Sequence, residues 1–151
     1  MQQDLKAFAE ALYAQPGVSE LCLEAQDRQN LDVCLLLAGL WLEKRGLEAL
    51  PARAQVLREQ SGHWQGTVVS ELRRLRRAWR IAAQEHADLA GLRDQLATLE
   101  LNAERCLLDR FQQKTADWPQ GTGAQNWMVL LAPLLPSATL QRLRTAAQAL
   151  A

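Results

Sequence analysis

The sequence predicts an all-α protein: a single compact domain of about six or seven helices around one buried central helix. Three observations predict it. Apolar residues recur at steps of three and four along most of the chain. No segment alternates with period two well enough to read as a strand, and no repeat of 20 to 50 residues is present. Pro, Gly and Asn fall where helices would end. The 151 residues fit one domain, which typically runs to roughly 100 to 200 residues, so residues 1–151 read as one unit. A chain of this length buries about 68 to 70% of its unfolded surface and needs no metal or disulfide to be stable.

Asp4 is the expected cap of a first helix whose apolar residues are Leu5, Phe8, Ala9 and Leu12, and Pro16-Gly17 ends it. Val18, Leu21, Cys22 and Ala25 give the second helix its apolar face. Asn30 tolerates a left-handed conformation and breaks that helix. Asp32 then stands where an N-cap belongs, its carboxylate free to accept from the first backbone N–H groups of a third helix. That helix, VCLLLAGLWLEKR, is apolar nearly all round before its charged end and Gly46, which makes it the buried centre.

From Pro51, one stripe runs through Ala54, Leu57, Ser61, Trp64, Val68, Leu72, Leu75, Trp79 and Ala82. Gly62 and Gly66 interrupt it, each costing about 1 kcal/mol relative to alanine, which predicts two helices or one kinked helix. After QEHAD the pattern resumes with Leu89, Leu92, Leu96, Leu99, Ala103, Cys106 and Leu107 in a long amphipathic helix ending near Phe111. DWPQGTG has loop composition, NWMVLLAPLLP gives a short apolar helix stopped by Pro133 and Pro136, and Ser137 is the expected cap of a last helix, Ala138 to Leu150.

Five arginines fall within ELRRLRRAWR, in a chain whose formal net charge is zero. Arg73, Arg76, Arg77 and Arg80 share an arc of about 100° on a helix, away from the apolar stripe. Arg73 repels Arg77, and Arg76 repels Arg80, by about 0.2 to 0.5 kcal/mol per pair, which a nearby anion would offset. The charge comes in alternating blocks: net −4 over residues 1–50, +5 over 51–80, −3 over 81–117 and +2 over 118–151. Such blocks suit helices that neutralise one another, or a dipolar surface meeting a partner. They suit a nucleic-acid binder less well, since such a protein usually carries an excess of positive charge to neutralise phosphates. A turn near residue 86 would set Arg73 level with Glu100. The expectation is that Glu100 holds Arg73 while Arg76, Arg77 and Arg80 stay available to solvent or a partner.

LCLEAQDRQNLDVCLLLAGLWL, VVSELRRLRRAWR and LELNAERCLLDRF resemble a family of small uncharacterised proteobacterial proteins over about the first 115 residues. The resemblance implies a bacterial cytoplasmic helical protein and supplies no catalytic residues. Asn30 stands where such proteins are expected to carry glycine, a departure that touches only the link between the second and third helices.

Templates for catalysis fail in turn. GxxxxGK[ST], HExxH, CxxC and GxSxG are absent, and His63 and His86 stand far apart. GTG at 121–123 precedes a helix but lacks the strand and third glycine of a phosphate loop, so loop punctuation is its expected role. Asp27 with Asp32, and Glu100 with Glu104, are the carboxylate pairs that could do acid–base work or hold Mg²⁺ against a diphosphate; capping and ion pairing are the commoner uses of such residues. Trp41, Trp64 and Trp79 lie on apolar faces and are expected in the core, whereas Trp118 and Trp127 flank the glycine loop and are candidates for a partner or ligand surface. Cys22, Cys34 and Cys106 are odd in number and widely spaced, so reduced core thiols are expected. The N-terminus has no secretory pattern, and the longest apolar stretch, Val33 to Leu42, is half the roughly 20 residues a membrane span needs.

These observations predict a non-catalytic cytoplasmic interaction or regulatory protein without cofactor or metal. Its partner would be another protein or a second copy, docked on Arg76, Arg77, Arg80, Trp118 and Trp127. The alternative is a small helical enzyme or ligand-binding protein holding a phosphate-bearing molecule between those arginines and Asp27, Asp32, Glu100 and Glu104. A concave pocket lined by both Arg77 and Glu104 would favour the alternative; a flat arginine face would favour docking.

Overall fold

The computed structural model describes residues 4–121, 123 and 125–150. Its helices are α1 (Leu5–Tyr13), α2 (Val18–Gln29), α3 (Val33–Arg45), α4 (Pro51–Trp64), α5 (Ser70–Ala78), α6 (Arg80–Ala83), α7 (Ala87–Thr115), α8 (Trp127–Leu131) and α9 (Ser137–Gln148), with a π-helical turn, Gln65–Val69, between α4 and α5. Among the described residues there is no strand, only one isolated antiparallel bridge between Leu47 and Gln120.

Local chemistry sets the helix ends. Asp4 accepts from the Ala7 N–H at 2.6 Å and starts α1. Asn30 closes α2 in the left-handed region at φ 53°, which the short polar side chain of asparagine tolerates. Asp32 accepts from the Leu35 N–H at 3.2 Å and caps α3. Gly46 ends α3 at φ 74°, and Pro51 opens α4 at its first turn, where its missing N–H costs nothing. The last helix corrects the sequence reading: Ser137 is its first residue and makes no capping bond, and Pro136 holds the cap position.

Helix α3 is the centre. Every residue from Cys34 to Leu42 is buried, and α1, α2, α4, α7, α8 and α9 all pack on it. Gly39 lets α8 approach closely, since a Cβ there would lie 2.7 Å from the Met128 sulfur. Glu43 then fixes the junction by accepting from the Met128 N–H at 3.1 Å and from two nitrogens of Arg144, at 3.0 and 2.8 Å. This ties α3, α8 and α9 together through one bidentate pair.

The second half of the helical stripe behaves differently. Trp64 anchors α4 to α7 by donating its indole N–H to the Ala103 carbonyl at 2.8 Å, and Val69 is fully buried in the π-helical turn. Beyond it, α5 and α6 carry no buried residue and form an antiparallel hairpin with the first half of α7. Leu92 and Leu99, expected on the buried face of α7, are half exposed; that face is instead Leu96, Glu100, Ala103, Leu107 and Phe111. The hairpin projects from the core and roofs one side of the α2–α3 link.

Candidate polar cavity

Between this roof and the α2–α3 link lies a cavity of about 650 Å³, within the range of about 300 to 1,000 Å³ usual for small-molecule sites. Helix α2 brings Asp27, the link brings Asn30 and Asp32, the π-helical turn brings Gln65, α5 brings Arg73, Arg76 and Arg77, and α7 brings Glu100 and Glu104. Tyr13 and Cys34 complete one wall. All four carboxylates singled out from the sequence therefore meet two of the three candidate arginines in one concavity. Arg80 lies elsewhere, beside Gln84, Arg93 and Asp94 near the hairpin turn.

The charges in the cavity fall into three groups. Asp32 is a hub as well as a cap: besides the Leu35 N–H it accepts from the buried Ser61 hydroxyl and, at 3.4 Å, from the Gln65 amide. Glu100 is 7% exposed and shared by two guanidiniums. Arg73 approaches it to 3.4 Å and Arg76 donates to it from both Nε and Nη2. The expected pairing of Arg73 with Glu100 is thus present. The expected freedom of Arg76 is not, because an arginine side chain spans a helical turn and reaches the same acceptor. Arg73 also lies 3.4 Å from Glu104. Burial pushes the Glu104 carboxyl above the ordinary carboxylate range, and the charges of Glu100 and Asp32 add to the rise while Arg73 opposes it.

Asp27 and Arg77 form the third group. Both are exposed at the rim, on α2 and α5 respectively, and neither has a hydrogen-bonding or ion-pairing side-chain partner among the described residues. The cavity therefore combines a floor of neutralised charges with one unpaired anion and one unpaired cation at its mouth.

Tyr13, Gln65 and Cys34 enter the wall without having been singled out for it. Tyr13 stands just off the apolar face of α1, and Gln65 is placed by the π-helical turn, a distortion often found at functional sites. Burial drives the Cys34 thiol well above its ordinary pKa, so it stays protonated and is a poor nucleophile.

The remaining candidates sit elsewhere. Trp127 is fully buried and donates to the Leu47 carbonyl at 2.8 Å. Trp118 stacks on it with centroids 5.8 Å apart, and Arg53 covers Trp118 at 5.3 Å. The pair closes the edge of the core, and burial leaves Trp127 no surface to offer a partner. Trp41 is buried as expected, while Trp64 and Trp79 are only partly so. Cys22 and Cys34 are buried, but Cys106 is exposed, one position off the true inner face of α7. Gly121 packs near Glu48, and Thr122 of the GTG stretch lies outside the described residues. Among the described residues no three His, Cys, Asp or Glu side chains are grouped as a metal ion would require, and no helix is long and apolar enough to cross a membrane.

The model of a protein family described as being of unknown function, DUF2390, matches residues 4–111. The matched stretch holds every residue of the cavity. No curated protein and no solved structure matches the chain.

Proposed function

The chain belongs to this family of unknown function, and we propose that it is a small-molecule-binding protein whose α2–α3 link and α5–α7 hairpin hold a phosphate-bearing polar ligand between arginines and carboxylates. The observation that carries the reading is the concavity itself, in which Arg77 and Glu104 line the same space of about 650 Å³. A docking face for an acidic protein would keep its arginines outward. Here Arg73 and Arg76 turn into the fold onto Glu100, which leaves that rival reading with Arg77 and Arg80.

Each group has a role. Arg77 supplies the unpaired cation for the phosphate, and Arg73 and Arg76, neutralised by Glu100 and Glu104, hold the wall beside it. Asp27 accepts from a hydroxyl or amine of the ligand. Glu104, whose carboxyl is raised by burial, is the group suited to exchange a proton with the bound molecule. The three free thiols support a reducing setting, in keeping with a bacterial cytoplasm.

The test is calorimetric titration of inorganic diphosphate into the protein and into Arg77→Glu. The reading expects saturable binding that the charge reversal weakens at least tenfold without lowering the unfolding temperature. Equal affinity in both proteins would remove Arg77, and with it the cavity, from the site.

A further inference from the structure

A second cavity, of about 380 Å³, adjoins the first. Tyr13, Val33, Cys34, Leu101 and Glu104 line both, so the two spaces meet along one shared wall. Their chemistry is opposed. Beyond the shared wall the second cavity is surfaced by Ala9, Leu37 and Leu108, with Lys6, Glu10 and Arg105 at its edge. Those edge charges are paired: Arg105 with Glu10 at 3.5 Å and Lys6 with Asp109 at 3.5 Å. The interior presented to a ligand is thus apolar. Leu101 is 48% exposed and lines both spaces.

We propose that the two cavities form one bipartite site for an amphiphile, a molecule with a phosphate head and a short apolar arm, the head lying at Arg77 and the arm passing Leu101 toward Leu37 and Leu108. The proposal rests on the ligand-binding reading above and narrows it to a substrate class. The polar cavity alone would suit a sugar phosphate or nucleotide as well. The apolar extension distinguishes an amphiphile from these, because each buried methylene contributes about 0.8 kcal/mol, or roughly a fourfold gain in affinity. The thiol of Cys34, which burial keeps protonated, adds no charge at the junction the arm must cross.

The experiment is calorimetry with inorganic phosphate and with butyl, hexyl and octyl phosphate, each below its micellar concentration, on the full chain and on Leu101→Asp and Arg77→Glu. Because Leu101 is half exposed, its substitution is expected to leave the fold intact, which circular dichroism checks. The expected result is a Kd that tightens roughly two- to fourfold per methylene. Leu101→Asp should flatten this dependence on arm length, and Arg77→Glu should weaken all four ligands by the same factor. Inorganic phosphate binding with no dependence on arm length would overturn the amphiphile and leave the ligand-binding reading standing. No binding of any of the four would overturn both. Sedimentation with phosphatidate vesicles, without binding of free octyl phosphate, would put the head-group contact at a membrane surface and overturn the cavity-seated arm.

Discussion

Arg76 donates to Glu100 from both Nε and Nη2, and so holds the one buried carboxylate of the α5–α7 hairpin. Arg73 shares that carboxylate at 3.4 Å from a position one turn earlier. Removing the acceptor strands both guanidiniums. Glu100→Ala is expected to cost about 1 to 3 kcal/mol, the loss for an unsatisfied, partly buried charged group. Arg73→Ala should cost less than Arg76→Ala, because Glu100 keeps its two bonds from Arg76. Urea unfolding of the three variants and of the exposed control Arg74→Ala checks the order. Equal values for Arg76→Ala and Arg74→Ala would show that the pair contributes nothing.

Asp32 serves the α3 N-terminus, Ser61 and Gln65 at once. Asp32→Ala should therefore cost more than a simple cap, whose loss is typically about 1 kcal/mol, because the fully buried Ser61 hydroxyl is orphaned too. Asp32→Asn, which can still cap, should recover most of the difference. Thermal unfolding of the two variants separates them, and similar losses would assign the effect to charge instead of to hydrogen bonding.

The thiols should separate by burial. Cys106 is exposed and should alkylate quickly in the native protein, while Cys22 and Cys34 should react only on unfolding. Burial pushes the Cys22 thiol up to about 11, which lowers its thiolate fraction further. Mass spectrometry after timed iodoacetamide treatment should find one label natively and three after denaturation.

Glu104 gives a pH dependence of definite sign. Its carboxyl is raised in the folded state by burial, with Glu100 and Asp32 adding and Arg73 opposing, so the folded protein holds this proton more tightly than the unfolded chain. Its contribution is fully present below the unfolded pKa and is lost as pH rises through the folded one. Glu104→Gln removes that loss. The variant's stability relative to the parent should climb as pH rises across the acidic range above ordinary carboxylate values, and then level off. A flat difference from pH 4 upward would show that burial does not act on this group.

Much of the fold is legible in the chain because it is set locally. Asp4, Asn30, Asp32 and Gly46 announce helix ends through backbone chemistry that depends on few neighbours, and α3 announces its burial by being apolar all round. The inner face of α7 was less legible. Three leucines at helical spacing, Leu89, Leu92 and Leu99, suggest a stripe, but the face that meets the core carries Glu100, a residue type almost never buried unless paired. The pairing that permits it comes from α5, 24 positions away. The same limit applies to the cavity. Asp27, Asp32, Glu100, Glu104 and the arginines stand out by type, yet that they surround one space depends on how the hairpin packs beyond the π-helical turn at Gln65–Val69, where the sequence offers only two glycines.

A phosphate-bearing ligand is proposed to sit in the space between the α2–α3 link and the hairpin. Titration of inorganic diphosphate into the ¹⁵N-labelled protein, followed by amide chemical shifts, tests it most directly. Saturable shifts are expected at Asp27, Asn30, Arg73, Arg77 and Glu104, with an affinity at least tenfold weaker in Arg77→Glu. Shifts confined to the outer positions Arg74 and Arg80, or no saturable shift at all, would contradict it.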